Sequence, residues 1–208
     1  MKRMTAFLTA AILLLSLLPI AAFAAGPFEQ WDTTGWTKVS DEVLASAEEN
    51  SLNVLYSKGA AGGNCLEFDF LIKNVTGGLD GNVGAAYKTG GDIQYFFEYN
   101  TVSKLARIRR LGTGIDEQMG DEKSLELPKD EWHHFKIVFD VGCVELYIND
   151  ALVAAGRYTA DDKMTGGSCY IQTYYTNAEL KNIKFSKVTP TPSDNKQESA
   201  MEYDFEFR

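Results

Sequence analysis

The sequence is short of the residues on which most metal and nucleophile chemistry is built. Its 208 residues include two histidines, three cysteines and five prolines. The histidines are neighbours, His133 and His134. A strand points neighbours to opposite faces, so they cannot chelate one ion, and a three-histidine centre is excluded. Cys65, Cys143 and Cys169 allow at most one intramolecular disulfide and leave a thiol over. Each lies among apolar, strand-forming residues, so all three are expected buried and reduced. Cations are also scarce: 20 Lys and Arg against 29 Asp and Glu, a net charge of −9. That balance argues against nucleic acid and anionic membranes as partners. There is no phosphate-binding loop, dinucleotide fingerprint or nucleophile elbow.

What is present begins with an export leader at 1–24. Lys2 and Arg3 precede an apolar core at 6–20, and Ala22-Phe23-Ala24 is a small-x-small cleavage site. The apolar run, about 15 residues, is short for a membrane span. The mature chain is expected to start at Ala25 or Gly26, to be secreted or extracellular, and to have no membrane contact after cleavage.

Aromatic residues make up 12% of the chain and there are 18 glycines, a composition that suits short strands separated by turns. The pattern is plainest over 131–156. His133, Phe135, Ile137 and Phe139 alternate with Trp132, His134, Lys136 and Val138. Val144, Leu146 and Ile148 alternate with Cys143, Glu145, Tyr147 and Asn149. Asn149-Asp150 tolerates the left-handed backbone of a tight turn. Three antiparallel strands with one apolar face need a second sheet to cover it. Upstream, Trp31 and Trp36 are expected to seal the core. Residues 41–50 read as one or two helical turns, then 51–57 alternates as a strand. Leu66, Phe68 and Phe70 point inward, Glu67 and Asp69 outward. Strands at 83–88 and 92–99 pair around Thr89-Gly90-Gly91, 103–111 follows, and 112–121 reads as a polar loop. The last strands are 168–175 and 179–188. The fold class is all-β: a two-sheet antiparallel jelly-roll sandwich over 26–188.

Residues 189–200 form a Thr/Pro linker. Residues 201–208 turn apolar and alternating again. Phe205-Glu206 is similar to Phe28-Glu29, so this segment reads as a tail or the start of a further domain.

Three stretches carry a resemblance. Trp132, His133, Gly142, Leu146, Tyr147, Ile148, Asn149 and Asp150 resemble the strand-turn-hairpin of laminin-G-like and concanavalin A-like jelly rolls. Residues 84–99 resemble the strand-loop-strand of bacterial levan- or fructan-type carbohydrate-binding modules, and 174–185 their last strand. The resemblance implies a jelly roll that binds sugar, with His133 structural. No cofactor is expected, but such modules often hold a structural calcium ion. Asp80-Gly81-Asn82 and Asp161-Asp162 offer oxygen ligands for one. Lys181-Asn182 stands where the resembled modules frequently have Asp-Asn, and Lys88 where an Arg is common. Lysine keeps the charge but loses the bidentate fork, so ligand identity does not carry over.

Catalysis finds little footing. Jelly-roll glycosidases of the laminarinase type carry Glu-x-Asp-x-Glu on one strand, which sets three acids on one face. Glu67 and Asp69 begin that pattern, but Leu71 breaks it. Glu202, Asp204 and Glu206 fit it at the end of the chain. Sugar binding asks instead for flat aromatic faces and a few fixed polar groups. The candidate ligand-binding residues are Tyr87, Lys88, Asp92, Tyr95, Glu98, Arg107, Arg109 and Tyr174. As exposed polar groups, Glu98, Arg107 and Arg109 are expected to be replaceable by alanine without loss of stability. The chain is expected to be a non-catalytic carbohydrate-binding module, not an enzyme itself. It would be monomeric within a larger polysaccharide-acting protein, with polysaccharide or oligosaccharide as partner. Any glycoside hydrolase domain would lie beyond Arg208. The alternatives are a laminin-G-like protein-interaction or adhesion module and a jelly-roll glycoside hydrolase.

Overall fold

The computed structural model describes residues 26–47, 51–77, 80–139, 142–158, 162, 164 and 166–189. The expected leader, nearly all of the linker and the segment 201–208 lie outside the described residues. Among the described residues, fourteen strands form two antiparallel seven-stranded sheets. In chain order they are β1 Trp31–Asp32, β2 Trp36–Lys38, β3 Leu44–Ser46, β4 Leu52–Ala60, β5 Cys65–Val75, β6 Asn82–Lys88 and β7 Gln94–Asn100. There follow β8 Leu105–Gly112, β9 Ile115–Ser124, β10 Trp132–Val138, β11 Cys143–Ile148, β12 Ala151–Arg157, β13 Ser168–Tyr174 and β14 Thr176–Ser186. Sheet A runs β1-β4-β13-β6-β7-β8-β9; sheet B runs β12-β11-β10-β5-β14-β3-β2. The chain crosses between sheets repeatedly, and the result is a jelly-roll sandwich.

Strand alternation sets the core. Leu66, Phe68 and Phe70 of β5, Phe135 and Ile137 of β10, and Leu146 of β11 face inward from sheet B and are fully buried. Leu55, Ala85, Phe97, Ile108 and Ile171 meet them from sheet A. Phe68 stacks on Phe135 with ring centroids 4.9 Å apart. Trp31 and Trp36 belong to this core, and Trp31 stacks on Phe185 at 5.4 Å. The β11–β12 turn uses Asn149 and Asp150 at φ 50° and 63°, the left-handed pair that a type I′ hairpin demands. His133 is buried; its Nε2 lies 2.8 Å from the Pro128 carbonyl oxygen and its ring packs on Phe70. At one edge the sheets touch through Gly120 of β9, at φ 68°. A Cβ there would stand 2.0 Å from the Ala155 oxygen of β12.

Several expectations are corrected. Residues 112–121 are largely strand, because β9 pairs with β8 along Arg109–Gln118 and Leu111–Asp116. Its polar composition reflects an edge strand facing water, not a loop. Within 41–50, where helical turns are expected, Leu44–Ser46 form β3, which pairs with β14, and 48–50 lie outside the described residues. Cys65, Cys143 and Cys169 are free thiols, but Cys143 is only half-buried. Trp132 stands on the outer face of sheet B, half-buried, where Lys181 Nζ sits 3.9 Å from its ring centroid.

Candidate functional site

The same alternation that buries one side of sheet A turns the other into a groove. Tyr95, Phe97 and Tyr99 of β7 enter the core, so Gln94, Phe96, Glu98 and Asn100 face out. Ala106 and Ile108 of β8 enter the core, so Arg107, Arg109 and Leu111 face out. Across the sheet lie Asn82, Gly84 and Ala86 of β6, then Tyr170, Gln172 and Tyr174 of β13. Gly84 and Ala86 leave the middle low. A Cβ on Gly84 would come within 2.5 Å of the Phe97 oxygen and 3.0 Å of the Phe96 ring, which occupies that space. The result is an open groove of about 750 Å³ with a phenyl floor and amide, guanidinium and carboxylate walls.

Each arginine of the groove is paired with a carboxylate, and Asp80 adds a further carboxylate to the lining. Arg107 Nε donates to Glu98 Oε1 at 2.6 Å, and the Glu98 side chain is only 3% exposed. Arg109 Nε donates to Asp116 Oδ1 at 3.1 Å, and its Nη2 donates to Oδ2 of the same carboxylate. That hydrogen-bonded pairing holds Asp116 below its usual range and pushes the Arg109 guanidinium up. Gln172 Nε2 donates to Asn82 Oδ1 at 3.2 Å, and Tyr170 Oη donates to Gln94 Oε1 at 3.2 Å. Burial, with the neighbouring Tyr56, pushes the Tyr170 phenol up to about 12, so it remains a donor at neutral pH. These bonds fix the polar groups before any ligand arrives, which reduces the ordering cost of binding.

Of the candidate residues, the structure brings Glu98, Arg107, Arg109 and Tyr174 together in this groove. Tyr87 and Tyr95 are corrections. They are 2% and 0% exposed and belong to the core, because the parity that turns Glu98 outward turns Tyr95 inward. Tyr87 Oη donates to the Met164 carbonyl, and Tyr95 Oη to Asp162. Asp162 also takes Arg110 Nη2 at 2.6 Å and Nε at 3.1 Å, so its carboxylate anchors the loop after β12 to the core. Lys88 and Asp92 are exposed at the end of β6 and in the β6–β7 turn, outside the groove lining. Sequence reasoning missed Asn82, Gln94, Asn100, Asp116, Gln118 and Gln172. The signal for Gln94 and Asn100 was available: they share the parity of Glu98. Asn82, on β6, reads from sequence only as a calcium ligand; Asp116, Gln118 and Gln172 needed the pairing of β9 and β13. Among the described residues, no group of three or more His, Cys, Asp and Glu is arranged to hold a metal ion.

The outer face of sheet B has another character. His134 Nδ1 lies 2.8 Å from Asp69 Oδ1 and Nε2 lies 3.4 Å from Glu67 Oε2. Lys184 Nζ reaches Glu67 at 3.5 Å, Ser186 Oγ donates to it at 3.1 Å, and Asn182 Nδ2 donates to Asp69 at 2.7 Å. Burial alone would raise Glu67, but Ser186, Lys184 and His134 outweigh it and hold the carboxyl below its usual value. Leu71, in the third position of the glycosidase pattern, is buried on this face.

Fold and groove together define a two-sheet jelly roll with an open polar groove on one outer face. Residues 22–186 match the domain family described as 3-keto-alpha-glucoside-1,2-lyase-like, and the chain belongs to that family. No curated protein matches the sequence. Among solved structures, the carbohydrate-binding module CBM66 from Bacillus subtilis aligns with TM-score 0.59 at 14% identity. The alignment covers 74% of this chain and 93% of that one. A Bacillus subtilis protein of unknown function with a galectin-like fold aligns with TM-score 0.56 at 12% identity, covering 76% and 91%. The Bacillus licheniformis beta-glucanase aligns with TM-score 0.53 at 13% identity, covering 74% and 83%. These likenesses are of fold.

Proposed function

We propose that the domain is a non-catalytic module of an exported protein that binds a neutral polysaccharide or oligosaccharide in the groove of sheet A. The observation that carries this is the preset polar wall over a phenyl floor, built from side chains of five adjacent strands. Amides and paired guanidinium–carboxylate groups offer donors and acceptors to sugar hydroxyls, and Phe96 and the β13 tyrosines offer flat apolar surface. Each cation has its own anion within reach, so a neutral ligand fits better than an acidic one. Sugar hydroxyls exchange good bonds with water for bonds with protein, so single-site affinity is expected in the range of about micromolar to millimolar. Calorimetry or affinity electrophoresis of the full chain against fructans, β-glucans and xylans tests it. Retardation without released sugar is the expected result. Absence of binding to all of them, with capture of a protein ligand, would favour the laminin-G-like adhesion reading.

Family membership favours a second reading, a lyase on a 3-keto-α-glucoside. That reaction takes the proton from carbon 2, acidified by the ketone, and expels the group on carbon 1. It needs a base and a cation beside the developing enolate. Glu98 as base, with Arg107 and Arg109 beside the oxygen, is the arrangement available in the groove. Incubation with a 3-keto-α-glucoside separates the readings: release of the aglycone, abolished by Glu98→Gln, would make the domain an enzyme.

A further inference from the structure

The polar groove occupies the β13–β9 part of sheet A's outer face. Towards the opposite edge the face turns aromatic and apolar. Tyr56 of β4 pairs in register with Tyr170 of β13, Val54 with Gln172, and Leu52 with Tyr174. All six therefore share the outer face. Tyr56 is 55% exposed and Leu52 52%, values unlike those of the other large apolar side chains of this sheet. The Tyr56 and Tyr170 rings lie 5.8 Å apart, tilted at 55°. Tyr170 reaches from this strip into the groove, where its hydroxyl is fixed on Gln94. Strip and groove are thus one continuous surface, joined by a side chain that belongs to both. β1 extends the sheet beyond β4 for only two residues, Trp31 and Asp32.

From Arg109 on β8 to Tyr56 on β4 there are four inter-strand steps, about 19 Å at the usual spacing of hydrogen-bonded strands. That is several times the width of one sugar ring. We propose that the ligand is a glycan chain of several rings laid across the strands of sheet A, with Tyr56 and Tyr170 forming a stacking subsite at the far end from the arginine pairs. The inference rests on the reading above that this face binds carbohydrate, and adds that the site takes a chain, not a single terminal sugar or disaccharide. Its physical basis is the division of labour along the face. Hydrogen-bonding groups fix one end of the ligand, and exposed rings hold the rest through apolar ring faces.

The test is calorimetry of the full chain with matched disaccharides and hexasaccharides of the fructan, β-glucan and xylan series. The preferred hexasaccharide is expected to bind at least about tenfold more tightly than its disaccharide, the gain an extra stacked ring supplies. Tyr56→Ala is expected to remove most of that gain and leave disaccharide affinity unchanged, while Tyr56→Phe, which keeps the ring, retains it. Folding is monitored by the thermal midpoint; Tyr56 is exposed, so it should hold. Equal affinity for both lengths, or a hexasaccharide affinity indifferent to Tyr56→Ala, overturns the chain-length inference and leaves carbohydrate binding standing. A Tyr56→Ala change in oligomeric state with unchanged hexasaccharide affinity would assign the strip to a protein interface and overturn it too. No binding of either length by the wild-type chain defeats both readings.

Discussion

The two outer faces of the sandwich come from the same alternation and the same strand count, yet they differ in what their side chains do. On sheet B, long side chains cover the sheet and satisfy one another. Lys136 Nζ sits 4.1 Å from the Tyr147 ring centroid, Lys181 lies over Trp132, and Tyr147 Oη donates to Glu145 at 2.7 Å. Glu67, Asp69 and His134 are bound into the same mesh. On sheet A, Gly84 and Ala86 hold the middle low; Arg107 and Arg109 pair with Glu98 and Asp116 on one wall, and Tyr170 reaches over β6 to Gln94. Sheet B's outer face still leaves a cavity of about 620 Å³ beside Asp69, His134, Asn182 and Lys184, against about 750 Å³ for the groove of sheet A. Residue volume at the centre of the sheet, more than its charge, separates the two.

The largest test reaches beneath both faces. Ile137 is fully buried between the sheets, and Ile137→Ala is expected to cost about 2–5 kcal/mol in denaturant unfolding. An unchanged midpoint would contradict the register of β10 that organises sheet B.

The next test separates the two arginine pairs within sheet A. Arg107→Ala strands the Glu98 carboxylate, which is 2% exposed, and should cost about 1–3 kcal/mol of stability as well as weaken glycan binding. This revises the expectation from sequence that the position is freely replaceable. Arg109→Ala leaves behind Asp116, which is exposed, so stability should stay within about 0.5 kcal/mol. Glycan affinity should still fall by about tenfold, since bonds to charged groups are the stronger ones. Equal stability losses in the two variants would show that burial does not distinguish the pairs.

A smaller contrast comes from sheet B. Lys181→Ala removes the ammonium above Trp132 and should cost about 0.5–1 kcal/mol, with glycan affinity unchanged. A fall in affinity would break the assignment of the glycan to the face of sheet A.

The smallest effect is on pH. Asp116 is held below its ordinary value of 3.8 and Glu67 below 4.5. A carboxylate with a depressed value contributes fully above its ordinary value and loses that contribution as pH falls through the folded one. Glycan affinity and thermal stability should therefore hold level down to about pH 5 and decline only on further acidification. A decline between pH 7 and 6 would assign the dependence to another group.

Much of the fold was legible in the sequence because strand alternation is local. Leu66, Phe68 and Phe70, Phe135 and Ile137, and Val144, Leu146 and Ile148 declared their inward faces without any partner in view, and Asn149-Asp150 declared its turn. Edge strand β9 was not legible, because an edge that faces water lacks an apolar alternation to display. The site was legible in part. Glu98 stands out as an acid inside an aromatic strand, and Arg107 and Arg109 as a pair on one face. Tyr87 and Tyr95 were misassigned because an aromatic ring reads alike as core and as ligand platform; only parity with known inward neighbours separates the two.

The sequence by itself determined that this chain is an all-β sandwich and which residues of each central strand face the core, because a period of two residues records burial directly. Only the tertiary structure decided that β9 lies along β8 and that β13 lies along β6. β6 to β9 follow one another in the chain as a meander, but β13 comes from a distant stretch, and pairing between distant strands leaves no local mark. The groove, its low floor at Gly84 and its aromatic margin at Tyr56 exist only once that order of strands is set.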